Sequence, residues 1–296
     1  MKQRLDIPRI VPWLFLAPAL LLLGTFALVP LLRAAWWSLT DADLLRTGSA
    51  VWTGTANYSE LLSDPRFRRA FFNTACFALM VVPVQATLAF FLALWVNRPE
   101  RYWRWLRTVF FLPIVVSMPV LAVLWTMLYQ PLRGGQTGLI NALIGSIGLP
   151  VQDWLQQPHL ALPAIAFMSV WQGVGFQMMI FLAGLQTLSA SQLEAATIDG
   201  AGAFQRLRHI ILPAMRPSII FVITATLILS FRLFAQPYLM TRGGPEDATL
   251  SIIQFIYETT FLGRELGRAN AGAMIFLLLV AVLALLQRAF AREVRS

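Results

Sequence analysis

A chain of 296 residues that is 58% hydrophobic and only 12% charged has more apolar surface than a soluble fold can hide, because ordinary globular chains are about half apolar with about a quarter of their residues charged. Its mean hydropathy of +0.67 places it among integral membrane proteins, with helical spans of roughly 20 residues for a hydrocarbon core of ~30 Å. The formal charge of +9 has no folded basic domain behind it, which excludes nucleic-acid binding and leaves topology and contact with anionic lipid headgroups as its meaning.

In chain order, the first apolar run is Trp13 to Leu32, preceded by Lys2, Arg4 and Arg9. It is longer than the apolar part of a signal peptide and no small-x-small cleavage site follows, so it reads as a retained span. Trp36 to Arg69 is then an external segment containing Asn57-Tyr58, Asp64-Pro65 and Phe67, with Asp64 and Pro65 suited to the N-cap and first position of the next helix. Asn57-Tyr58-Ser59 is formally a glycosylation triplet and reads as chance. The second span, Phe71 to Val96, holds Cys76, the only cysteine, so no intrachain disulfide is possible and a buried structural thiol is expected. The third span is Val109 to Gln130. A stretch from Pro131 to Pro158, punctuated by Gly134-Gly135, Gly138, Gly145 and Gly148, reads as a lid or docking loop.

The fourth span is Ala161 to Leu185, the fifth Ile219 to Met240 with Arg232 inside it, and the sixth Ala271 to Gln287. The fold class is therefore all-α, a polytopic membrane protein of about six transmembrane helices, and residues 1–296 read as a single transmembrane domain without internal repeats. An even number of crossings puts both termini on one side. Lys2, Arg4, Arg9, Arg98, Arg101, Arg104, Arg107, Arg206, Arg208, Arg216, Arg288, Arg292 and Arg295 fall on that side with few acids, whereas the opposite side, with Arg46, Arg133 and the remaining external arginines, is neutral. The positive-inside rule predicts cytoplasmic termini.

The chemistry missing from the chain is equally informative. Lys2 is the only lysine, so no Walker A phosphate loop is present. His159 and His209 fall on opposite sides of the membrane and Cys76 lies in a span, so no metal cluster is expected. No Asp or Glu lies in a predicted span, which disfavours an ion-coupled secondary carrier, since such carriers keep ionisable relays there. No Ser-His pair, paired Asp or metal set converges, which disfavours an intramembrane enzyme.

Between the fourth and fifth spans lies a polar, amphipathic loop, residues 189–217. Ser191 and Glu194 have the spacing of a capping box, and Asp199-Gly200 can end the helix, with Gly200 at positive φ. The reading is a short helix, a sharp turn and a second short helix ending near Pro213.

This loop resembles the cytoplasmic EAA coupling loop of ABC importer permeases, carbohydrate type. The positions that carry the resemblance are Glu194, Ala195, Ala196, Asp199, Gly200, Ala201, Phe204, Ile210, Pro213 and Pro217. Further stretches of the same sugar-permease type are Asn57-Tyr58, Asp64-Pro65, Asn73-Thr74, the run from Gly138 to Leu149, and Thr241 to Pro245, so the resemblance extends from about Phe15 to Phe290.

The resemblance implies a bacterial inner-membrane, multi-pass permease subunit of a binding-protein-dependent importer of a sugar, polyol or glycerol phosphate, not itself an enzyme. It implies a second permease subunit in a heterodimer, two ATPase subunits and an extracytoplasmic solute-binding protein. ATP and Mg²⁺ are held by the ATPases, with no cofactor in this chain. The coupling residues are then Glu194, Ala195, Ala196, Asp199 and Gly200, with Glu194 either pairing with a basic residue of the ATPase or serving only as a cap. The solute path falls to Trp171, Gln172, Gly173, Phe176 and Gln177 in the fourth span and Thr226, Ser230, Arg232 and Gln236 in the fifth. Gly173 and Gly175 serve equally as helix-packing positions. Arg232 has two readings: it faces a polar cavity and binds ligand hydroxyls or an anionic group, or it snorkels to the headgroups. Where sugar permeases commonly carry Asp shortly after this basic position, the chain has Ala235.

Overall fold

The computed structural model describes residues 11–45, 50–131 and 137–293. Lys2, Arg4, Arg9, Arg46, Arg133, Gly134-Gly135 and Arg295, together with the side chains of Arg288 and Arg292, lie outside the described residues. The described chain is helical, and its only β-type pairings among the described residues are the isolated bridges Thr40–Trp52 and Asp43–Glu265.

Helix α1 runs Val11–Leu23, continues through a π-helical turn at Gly24–Leu28 and ends with Val29–Trp37. It is followed by α2 (Ala56–Ser63), α3 (Pro65–Val96), α4 (Arg101–Val115), α5 (Met118–Leu128), α6 (Leu139–Ser146) and α7 (Pro158–Leu185). Then come α8 (Ala190–Ile198), α9 (Ala203–Phe231), α10 (Ala235–Met240), α11 (Ile252–Phe261) and α12 (Leu266–Glu293). Five helices, within α1, α3, α7, α9 and α12, are long and apolar enough to cross a membrane, and α4 with α5 passes as a sixth, broken span.

Two expected spans are corrected. The third is not one helix over Val109–Gln130, because α4 and α5 meet at a 98° bend. Val116 and Ser117 are extended there, with ψ of 135° and 141°. Pro119, two residues into α5, has no N–H, and its ring would collide with the carbonyl of Val115 if the helix ran on. The fifth span also does not reach Met240. Helix α9 stops at Phe231, Arg232 takes the C-cap position and Phe234 is non-helical at φ −149°. Pro237 would place its ring on the carbonyl of Leu233, so the chain restarts as the short α10.

The described chain divides into two compact units, one running to Asp64 and including Ile256–Leu277, the other comprising Pro65–Phe255 with the chain from Leu278 onward. In the first, Asn57 Nδ2 donates to the carbonyls of Ser38 (2.9 Å) and Thr40 (2.8 Å), and the Tyr58 hydroxyl bonds Ser38 Oγ at 2.7 Å. Arg268 pairs with both Asp64 and Glu265. Asp64 precedes Pro65, which opens α3 as the sequence predicts. Asn57 and Tyr58 thus tie α2 to the loop that follows α1, and Asp64 ties the end of α2 to the start of α12.

The second unit is built on α3 against α7. Their contact faces carry small residues, with Ala70, Ala89, Ala93 and Ala161 fully buried, which is how membrane helices approach closely when no water drives them together. Phe90 and Phe181 meet edge to face across this contact at 5.4 Å. Gly175 receives α4: a Cβ there would lie 1.8 Å from the carbonyl oxygen of Phe110. The glycine-punctuated stretch after α5 contains a helix, α6, pinned by the buried Asn141. Its amide donates to the Gln130 and Gln152 carbonyls at 3.1 and 2.9 Å and accepts from Trp154 Nε1 at 3.0 Å.

Thr241 to Leu250 forms a tightly tied loop. Arg66 makes a two-pronged ion pair with Asp247 at 2.9 and 3.0 Å, and Asn73 donates to the carbonyls of Asp247 and Leu250. Arg242, Glu246 and Asp247 hold positive φ of 55°, 51° and 58°, a conformation that persists in non-glycine residues only where the surroundings over-determine it.

Candidate functional site: a polar cavity and a helical hairpin

A cavity of about 620 Å³ opens among α3, α7, α9 and α10. Of the sequence-predicted path residues, Gln172, Gly173, Gln177, Thr226, Ser230, Arg232 and Gln236 all line it. Trp171 and Phe176 do not. Each is 40% exposed, and Trp171 stacks edge-on against Trp125 at 5.4 Å. At 3.6 residues per turn, Trp171 lies opposite the face that carries Gln172, Gly173 and Gln177, whereas Phe176 shares that face by spacing and is nevertheless outside the lining.

Gln85 of α3 is a cavity residue that sequence reasoning missed. It is buried, at 5% exposure, and its amide lies directly on the backbone of Gly173, where a Cβ would sit 2.0 Å from Gln85 Nε2. An uncharged amide in an apolar run was the available signal. Gln177 is also buried and donates through Nε2 to the Thr226 hydroxyl, which in turn donates to the Val222 carbonyl at 2.6 Å. Among the described residues the Oε1 of Gln177 has no hydrogen-bond partner. A buried acceptor left open costs ~1–3 kcal/mol, so a donor arriving in the cavity would be stabilised there. Arg232 is exposed and sits at the C-cap of α9.

The polar loop folds as a hairpin of α8 and the start of α9. Helix α8 begins at Ala190 with Ser189 as N-cap, and no side chain caps it. The expected Ser191–Glu194 capping box is therefore absent, and Ser191 bonds Ser189 through their hydroxyls at 2.6 Å instead. The end of α8 is as anticipated. Gly200 has φ +79°, its N–H bonds the Thr197 carbonyl at 3.1 Å, and the N–H of Ala201 bonds that of Ala196 at 2.9 Å. These two bonds make a Schellman cap, which needs a left-handed residue at Gly200.

Gln205 then accepts from the Gly202 N–H at 2.7 Å, and Arg206 reaches back to the Thr197 hydroxyl at 2.8 Å. The second helix does not end near Pro213. It passes through a π-helical turn at Leu207–Ile211 and runs on into the span, because a proline in the first turn of a helical segment loses no bond that the preceding wider turn had not already opened. Glu194, Ala195, Asp199 and Gly200 are exposed and Ala196 is half-buried. Ile198 and Phe204 flank the turn at 86% and 70% exposure, an apolar pair at the tip of an otherwise polar hairpin. Ile198 was not among the expected contact residues, since an isolated Ile at a helix end has no sequence signal of exposure.

Among the described residues no group of three His, Cys, Asp or Glu side chains converges. Comparison with known proteins identifies the class. The family model described as "Binding-protein-dependent transport system inner membrane component" matches residues 62–296. The chain belongs to this family. It is an inner-membrane transport permease rather than an enzyme, and the secondary-carrier alternative is not favoured.

Full-length relatives agree. The chain is 35% identical to the lactose transport system permease protein LacF of Rhizobium radiobacter, covering 95% of this chain and 94% of that one. It is 34% identical to the probable ABC transporter permease protein YurN of Bacillus subtilis, covering 95% and 96%. The sn-glycerol-3-phosphate transport system permease protein UgpA of Yersinia pestis is 32% identical, with 96% and 95% covered. The fold matches a crystal structure of a bacterial ABC transporter involved in the import of the acidic polysaccharide alginate, with TM-score 0.83 over 96% of each chain at 22% identity.

Proposed function

We propose that this permease forms the membrane path for a sugar or related polyol or glycerol phosphate in an ATP-driven, binding-protein-dependent importer. The observation that carries the reading is the cavity, in which amides and hydroxyls from α3, α7 and α9 line one space within an apolar bundle. Such groups match the hydroxyls of a carbohydrate at the cost of no buried charge. The names of the lactose and glycerol-3-phosphate relatives point to the same solute class.

In this reading the hairpin of α8 and α9 is the coupling element. Glu194, Ala195, Ala196, Asp199 and Gly200, with Ile198 and Phe204, dock into an ATPase subunit, and because α9 is continuous from the hairpin to the cavity wall, a push on the hairpin tilts that wall. ATPase closure then rocks the spans between inward and outward access. The assembly comprises a second permease subunit, two ATPases that carry ATP and Mg²⁺, and an external solute-binding protein, with no cofactor in this chain.

The path is tested at Gln172, which lines the cavity without a hydrogen bond inside the protein among the described residues. Gln172→Ala is expected to lower transport roughly fivefold, the worth of one hydrogen bond to solute, with the complex assembled as in the parent. Unchanged transport would move the path elsewhere.

The orientation follows from the charge bias. In a Cys76→Ala background, a cysteine introduced by Arg101→Cys is expected to react with an impermeant thiol reagent only from the cytoplasmic face, and one introduced by Glu246→Cys only from outside. Reversal of this pattern would invert the hairpin and remove it from the ATPase side.

A further inference from the structure

We propose that the cavity is built for an anionic carbohydrate, one carrying a carboxylate or a phosphate, with Arg232 as the counter-charge. This rests on the reading of the cavity as the solute path. Arg232 is the one charged residue in the cavity lining, and it makes no ion pair among the described residues. No acid that would neutralise it shares the lining: α3, α4, α5, α7, α9 and α10 contain no Asp or Glu, and α11, which contributes Ile253, carries its one acid, Glu258, outside the lining residues. The position three residues on, which shares the lining, is Ala235.

The magnitudes favour a net positive site. Arginine stays protonated in proteins. The carbonyl end of α9 faces Arg232, and a helix C-terminus supplies about half a negative charge, so it offsets only part of the guanidinium. The remaining lining polar groups are uncharged amides and hydroxyls such as Gln85, Gln172 and Ser230. Arg232 is exposed to the cavity with its charge unpaired among the described residues, and a carboxylate or phosphate that enters takes the two-pronged hydrogen bonds a guanidinium offers. A neutral sugar would satisfy the amides and leave the charge uncompensated.

The test reads the cavity's charge and its solute preference in the complete transporter, purified with its partner subunits and carrying Cys76→Ala and Gln236→Cys. Modification of the introduced thiol, which forms a mixed disulfide with release of methanesulfinate, is timed with methanethiosulfonate reagents bearing a sulfonate, a trimethylammonium or no charge. The ratio of anionic to cationic rate is expected to fall on the order of tenfold when Arg232→Gln is added, and to fall similarly with Ala235→Asp, which puts the missing acid back beside the arginine. Protection from the neutral reagent is then measured with galacturonate against galactose and with sn-glycerol 3-phosphate against glycerol. At least one anion should protect at concentrations about tenfold below its neutral counterpart, and which one does so separates carboxylate from phosphate.

A rate ratio untouched by both substitutions, or equal protection by charged and neutral members of both pairs, overturns the anion assignment while the path reading stands. Failure of both anions to protect a thiol that does react likewise overturns it. A thiol that no reagent reaches overturns the path reading and this one with it.

Discussion

Gly200→Val is expected to abolish transport while the protein inserts and its spans pack normally. The reason is confined to the backbone. A Cβ at Gly200 would meet nothing within 4 Å, so the substitution creates no clash, and the whole penalty comes from φ +79°. A left-handed residue costs an L-amino acid ~1–2 kcal/mol, and a β-branched one more. The Schellman bonds of Gly200 and Ala201 to Thr197 and Ala196 are lost if the turn relaxes, and α8 then leaves its angle to α9. In the coupling reading this displaces Glu194 to Ala196 from the ATPase. Membrane yield, co-purification of the ATPase and uptake are the three measurements, with the first unchanged and the other two falling. Gly200→Ala should be intermediate. Normal uptake by Gly200→Val with the ATPase still bound would show that this turn does not couple the two.

Gly175→Ala is expected to cause the largest loss of stability of any single methyl addition in the membrane core. The new carbon would lie 1.8 Å from the Phe110 carbonyl oxygen, 2.5 Å from its carbon and 3.0 Å from Phe111 Cα. All three are backbone atoms, so relief requires α4 and α7 to separate rather than a side chain to rotate. Overpacking of this kind costs about 3 kcal/mol or more when the backbone must move. A lower melting temperature in detergent and reduced recovery of assembled complex are the expected readouts. Gly145→Ala is the matched control, because a Cβ there meets nothing within 4 Å and α6 is helical at that point. It should stabilise slightly, by ~0.5 kcal/mol, through the loss of unfolded-chain entropy. Equal melting of the two variants would mean that α4 does not rest on Gly175.

Local sequence determined the membrane class, the apolar runs, the capped end of α8 and the left-handed Gly200, because each depends on residues contiguous in the chain: summed hydropathy, or a backbone turn only a few residues long. The positions where spans break were decided by tertiary structure. Pro83, Pro163 and Pro217 lie inside continuous helices, whereas the chain bends ahead of Pro119 and Pro237. A proline by itself does not say which, since the outcome turns on whether neighbouring groups can satisfy the carbonyls it frees. The walls of the cavity were likewise beyond the reach of periodicity. A span facing lipid on one side and protein on the other is apolar on both, so nothing in the pattern announced that Trp171 points away while Gln85, from a different helix, rests on Gly173. The same holds for Arg232: its place in the chain left both cavity and headgroup open, with the headgroup slightly favoured, and only the meeting of α7, α9 and α10 set it in a lining with no acid in it.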